Sequence, residues 1–265
     1  MSLKIGEAFA KAKSENRALL VGYITAGFPN KDRCIEIVKA MKSGGVDLIE
    51  VGFPYSDPVM DGPIIQRASE VAIANGINAK DVLETVSKVA ALGIPVVVMT
   101  YWNPIEKYGL EKFSKDLKSA GGLGLITPDL TIEEAEEWNK NAQSYDLAKI
   151  YVLAPSSSEE RLPLVAGNCS GFIYAASLMG VTGTRNSVSD DARKLVERIK
   201  KVSELPVAVG LGVSNGDQAK SVSEYSDGVI VGSAFLKIIQ EERDFEVALK
   251  KVEDLAKELR EGVKK

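Results

Sequence analysis

The alternation of strand and helix predicts an α/β fold closed into a single-domain (β/α)8 TIM barrel, on three observations. Eight short apolar, β-branched runs recur, at 18–25, 46–51, 95–100, 122–126, 148–153, 171–175, 206–210 and 228–232. Between them lie longer segments with apolar residues at helical spacing, such as Cys34, Ile35, Ile37, Val38 and Met41, or Val82, Leu83, Val86 and Val89. The runs are continuously apolar rather than alternating, so both faces of each strand are buried, as parallel strands flanked by helices require. A length of 265 residues suits one such barrel. No low-complexity linker divides it, so residues 1–265 read as one domain. An open doubly wound sheet is the alternative that periodicity alone leaves standing.

Composition narrows the function. The chain is 45% hydrophobic, and 33 Lys and Arg against 37 Asp and Glu give a formal charge of −4. Without a basic block it offers no footprint for nucleic acid or an anionic membrane. Lys200, Lys201, Lys250 and Lys251 fall on amphipathic helices and read as solvated faces. The two cysteines, Cys34 and Cys169, have no metal-binding spacing, which points to a reducing, cytoplasmic setting. The charged first turns lack the apolar core of a signal peptide, and no stretch approaches a membrane span. There is no histidine, which removes the commonest general base and the commonest zinc ligand together. Catalysis therefore rests on carboxylates, hydroxyls, amines or backbone dipoles.

Barrel chemistry lies at the C-terminal ends of the strands. The first run ends in Thr25, Gly27 and Pro29, and the second in EVGFPYSDPVMDGP, residues 50–63. The third ends in Thr100, Tyr101, Trp102, Asn103 and Pro104, the fourth in Thr127, Pro128 and Asp129, and the sixth passes through Tyr174 toward Thr182 and Gly183. Glu50 sits inside an apolar stretch, where an unpaired carboxylate is costly or has a raised pKa. It is either a structural glutamate bonded to its surroundings or an acid–base group, and its place at a strand's catalytic end favours the second. Asp57 and Asp61 occupy a segment broken by Pro54, Pro58, Gly62 and Pro63, hence a loop over the barrel mouth. Asp61 reads as a site carboxylate or as the cap of a helix beginning near Ile64.

Gly183, Gly210, Gly212 and Gly232 with Ser233 place small residues where an anion must approach backbone N–H groups. They match the barrel phosphate site built from the loops after strands seven and eight and a helix N-terminus. Glycine at a strand end also serves tight turns; the convergence of several such positions favours a phosphorylated ligand. The stretch GLGVSNG, residues 210–216, lacks dinucleotide-binding spacing. A Schiff-base lysine is not supplied either, because Lys149 falls at the N-terminal end of its strand. Carboxylate acid–base catalysis on a phosphorylated substrate survives.

IEVGFPYSDPVMDGPIIQ at 49–66, Tyr174 followed by GVTG at 180–183, GLG at 210–212 and VGSA at 231–234 resemble the tryptophan synthase alpha chain family over nearly the whole length. YITAGFP at 23–29, MTYWNP at 99–104 and PDL at 128–130 follow in the family's order. The resemblance implies retro-aldol cleavage of indole-3-glycerol phosphate to indole and glyceraldehyde 3-phosphate, without cofactor or metal. It implies that Glu50 moves protons between the indole C3 and the side-chain hydroxyl, and that Asp61 holds the indole N–H. Tyr174, Tyr101 and Thr182 are the implied substrate contacts, with Thr182 bonding Asp61. Tyr174 alternatively reads as a plain core aromatic.

The resemblance also implies a pyridoxal-phosphate beta chain as partner in an α2β2 heterotetramer. Residues 54–61, with Pro54 and Asp57, and the loops around Asn103 and Asp129 would form the docking face. Phe53, Pro54, Tyr55 and Met60 then lie at the surface, unless they fold inward as packing at the barrel mouth. Met60 beside Asp61, Phe53, and Thr131 after Leu130 depart from the family's commonest form. A stand-alone lyase releasing free indole and a non-catalytic phosphate-binding activator are the rival functions, and intact Glu50 and Asp61 speak against the activator.

Overall fold

The computed structural model describes residues 5–176, 185–210 and 212–265. Eight parallel strands close into a barrel in sequence order. They are β1 (Leu19–Thr25), β2 (Leu48–Gly52), β3 (Val96–Met99), β4 (Gly124–Thr127), β5 (Ala148–Leu153), β6 (Ile173–Ala176), β7 (Val207–Gly210) and β8 (Gly228–Val231). Closure by the β1–β8 pair, with Leu19 opposite Gly228 and Val21 opposite Ile230, excludes the open sheet. Several strands begin one or two residues inside the apolar runs. Val46 and Phe172, for example, are buried in the approach turns, so the apolar run marks burial and the ladder marks pairing.

The helices α2 (Lys31–Ser43) and α4 (Ala79–Ala91) carry the apolar stripes expected, with Cys34, Ile37, Val38 and Met41, and then Val82, Leu83, Val86 and Val89, buried against the sheet. Asparagines start both: Asn30 accepts from Arg33 N, and Asn78 forms a reciprocal capping box with Asp81. Lys149 is the second residue of β5, away from the catalytic end.

Inside the barrel, Leu19, Val21, Leu48, Val97, Ile126, Ile150, Phe172, Ala208 and Ile230 form a packed layer. The first helix, α1 (Ile5–Ser14), closes the N-terminal end by burying Ile5, Phe9 and Ala12, with the Phe9 ring 5.6 Å from that of Phe172. An ionic knot sits at this end. Asp47 accepts both terminal nitrogens of Arg17 at 2.7 and 2.9 Å, Arg260 at 2.8 Å and the Leu20 N–H at 2.9 Å. With this end sealed, polar residues on the inward face are open to ligands only at the other end.

Candidate active site

Glu50 is the middle residue of β2 and pairs in register with Tyr23 of β1 and Val97 of β3. Its side chain points into the barrel mouth, is 1% exposed, and its Oε2 has no hydrogen-bond partner among the described residues. Burial, and secondarily the nearby Asp61 carboxylate, pushes its pKa up to about 8. The structural alternative required satisfied oxygens, and an unpartnered oxygen does not meet it.

Asp61 belongs to the loop between β2 and α3 (Pro63–Ala74). Gly62 occupies the N-cap position and among the described residues no side chain caps the helix, so Asp61 does not cap it; toward α3 it offers its backbone carbonyl, which accepts from Gln66 Nε2 at 2.8 Å. Burial raises the Asp61 pKa, while the Tyr101 hydroxyl works against that rise. The loop is braced from the neighbouring strand, by residues that follow β3. Met60 N donates to the Tyr101 hydroxyl at 3.0 Å, the Tyr55 and Tyr101 rings lie 5.1 Å apart, and Asn103 Nδ2 donates to the Tyr55 hydroxyl at 3.1 Å. The Trp102 N–H donates to the Asp129 carboxylate at 3.0 Å, adding the loop after β4 to the brace.

Both carboxylates open onto one cavity of about 310 Å³ at the C-terminal ends of the strands. Tyr23 and Tyr174 contribute its hydroxyls, and Met99, Val152 and Ile230 much of its apolar wall. Burial, with the charges of Glu50 and Asp61, keeps both tyrosines protonated, their pKa values raised well above the ordinary range. At the far side stand Gly212, Gly232 and Ser233. Ser233 starts α11 (Ser233–Glu241); among the described residues no side chain caps that helix, and since Phe235 N–H is given to the Gly232 carbonyl, the Ser233 and Ala234 N–H groups are the ones left to face an anion. One enclosure therefore joins a protonated buried acid, a second carboxylate, an apolar slot and an uncapped helix N-terminus.

The sequence pattern of the family described as tryptophan synthase alpha chain matches residues 9–264. The tryptophan synthase alpha chain of Thermobifida fusca is 54% identical over 258 residues, covering 96% of each chain. That of Streptomyces avermitilis is 49% identical over 98% of this chain and 94% of its own. A solved tryptophan synthase structure from Mycobacterium tuberculosis superposes with a TM-score of 0.92 at 44% identity over the whole of both chains. The alpha subunit from Legionella pneumophila str. Paris superposes at 0.87 with 32% identity, over 98% of this chain and 97% of its own. This chain belongs to the tryptophan synthase alpha chain family.

Within this alpha-chain barrel the expected site residues fall into three groups. Glu50, Asp61, Tyr174, Gly210, Gly212, Gly232 and Ser233 line the one cavity. Tyr101 does not line it; 5% exposed, it supports the loop that carries Asp61. Thr182 and Gly183 lie outside the described residues. Gly210 serves a further need, because a Cβ there would overlap the Tyr174 hydroxyl, so the absence of a side chain makes room for that ring.

The expected docking loop is partly corrected. Pro54 is buried and Phe53, Tyr55 and Met60 are half-buried, because the loop folds back over the mouth and packs on β3's continuation. Val59, 79% exposed, is the apolar residue the loop presents to solvent, and Asp57 beside it is exposed with its carboxylate taken by Ser56 Oγ at 2.6 Å. Sequence reasoning did not single out Tyr23. The signal was its place two residues before Thr25 in the first run, but its facing Glu50 needed the β1–β2 register.

Proposed function

We propose that this chain cleaves indole-3-glycerol phosphate to indole and glyceraldehyde 3-phosphate. The observation that carries the reading is Glu50: a buried carboxyl whose Oε2 has no partner among the described residues, with a pKa of about 8, in the same cavity as Asp61 and the α11 N-terminus. At neutral pH Glu50 is mostly protonated and enters as an acid. It gives its proton to the indole C3, while the Asp61 carboxylate accepts the ring N–H and offsets the positive charge that develops there. The resulting Glu50 carboxylate then takes the proton of the side-chain hydroxyl next to the scissile bond. The O–H electrons form the aldehyde, the carbon–carbon bond breaks, and its electron pair returns to the ring to give neutral indole. Glu50 ends as it began, so one residue completes the cycle, given both atoms within ~3 Å of it.

The apolar wall of Met99, Val152 and Ile230 suits the indole ring, and Gly212, Gly232 and Ser233 suit the phosphate. The chemistry requires no cofactor. The partner is a tryptophan synthase beta chain in an α2β2 assembly, docked on the braced loops after β2, β3 and β4, which would receive the indole. Among the described residues no helix is long and apolar enough to cross a membrane, and we place the enzyme in the cytoplasm. Incubation with indole-3-glycerol phosphate, with and without a beta chain, tests the reading by indole release; no turnover in either condition would overturn it.

A further inference from the structure

Two tyrosines enter the cavity from opposite sides by the same device. Tyr174 of β6 leans over Gly210 of β7, and Tyr23 of β1 leans over Gly52 of β2; in each case a Cβ on the glycine would overlap the tyrosine hydroxyl. Gly232, after β8, closes on Tyr23 from its other side, a Cβ there lying 3.1 Å from the Tyr23 Cβ. Both strands that flank β1 thus leave space for the Tyr23 side chain, which is 6% exposed.

That space fixes where the Tyr23 hydroxyl stands. Glu50 and Gly52 are two residues apart on the inward face of β2, about 7 Å along the strand. A hydroxyl seated over Gly52 occupies the position that the next inward side chain of β2 would fill, directly above Glu50. Glu50 Oε2 is buried without a partner among the described residues. The Tyr23 oxygen lies 3.3 Å from Thr25 Oγ1. When Thr25 donates across that contact, the tyrosine's own proton is left for the cavity.

We propose that Tyr23 is a positioning residue for Glu50: its hydroxyl, held by Thr25 and seated over Gly52, donates to the Glu50 carboxylate formed midway through the reaction. This inference rests on the proposed lyase reaction. A neutral donor suits the step, because it favours the charged form of Glu50 without trapping it as a permanent ion pair. Among the described residues the titratable groups around Glu50 are Tyr23 from β1, Asp61 from the loop after β2 and Tyr174 from β6. The cavity residues of β3, β5, β7 and β8, among them Met99, Val152, Gly210 and Ile230, add none.

Tyr23→Phe keeps the ring and removes the hydroxyl. Two readouts are taken: the Glu50 midpoint in the substrate-free chain, by carboxyl-carbon NMR with Glu50→Gln to assign the signal, and the pH dependence of indole release. Loss of the donor should raise the midpoint by about one unit. The alkaline limb of kcat/KM should follow it upward, and kcat should fall roughly tenfold because Glu50 becomes a weaker acid, with KM changed less than about twofold. An unchanged Glu50 midpoint, whether activity falls or not, overturns the proposal, and a rise confined to KM would assign the hydroxyl to substrate instead. Because the midpoint is read without substrate, it stands apart from the reaction itself, which wild-type turnover tests.

Discussion

Replacing Glu50 by Gln should make the protein less active and, above acidic pH, more stable. Glu50 has its pKa raised from 4.5 to about 8 by burial and by Asp61. Below pH 4.5 the group is protonated in both folded and unfolded chains and costs nothing. As pH rises from 4.5 toward 8, the unfolded chain releases this proton and the folded chain retains it, so stability is lost across that window and levels off above it. At about 1.4 kcal/mol per unit of separation, the loss by pH 8 is a few kcal/mol. Glutamine has the same shape, is neutral at every pH and carries no such penalty. At roughly 2–4 °C per kcal/mol for a domain of this size, its melting temperature should match wild type at pH 4 and exceed it by on the order of 10–15 °C at pH 8. Calorimetry across pH 4–9 measures the gap. Parallel curves for the two proteins would show that Glu50 titrates normally and refute the argument, as would near-normal turnover in Glu50→Gln, for which a loss of at least ~10²-fold is expected.

Other outcomes follow from the same structure. Wild-type kcat/KM should fall as pH passes through about 8, where Glu50 loses the proton it needs as an acid; a profile flat to pH 9.5 would contradict this. Gly232→Asp should raise KM for the phosphorylated substrate by about tenfold or more, because a carboxylate at the α11 N-terminus repels phosphate, and isothermal titration with glycerol phosphate should show the same loss. Asp47→Ala removes the acceptor of Arg17, whose side chain is 2% exposed, and of Arg260; it should cost about 3 kcal/mol, seen as a lower melting temperature with kcat unchanged, since the knot lies at the sealed end. Val59→Asp should weaken beta-chain binding in a calorimetric titration while leaving the chain's own indole release within about twofold; unchanged affinity would take the docking face away from this loop.

The sequence by itself determined the eight strand–helix units and the carboxylates at the mouth, and the β1–β8 pairing then chose the closed barrel over the open sheet. Burial on both faces writes a continuous apolar run into each strand, a local signal that needs no partner strand to be read, and Glu50 is visible as a charge inside such a run. The absence of histidine left carboxylates to carry acid–base work, and the loop prolines placed Asp61 at the mouth. What only the tertiary structure decided depends on register and on long-range folding back. Tyr23 faces Glu50 because β1 and β2 pair in one register, and nothing local to residue 23 specifies that neighbour. Gly52 and Gly210 are bare because tyrosines from adjacent strands fill their places, so a glycine that reads as a ligand approach also accommodates a side chain. Pro54 looked like a surface residue because prolines in loops usually are; it is buried because the loop closes over the mouth, tied down at Met60 by Tyr101, which turns out to brace the loop rather than line the cavity. Periodicity reports how much of a residue is covered, and only the closed barrel determines what covers it.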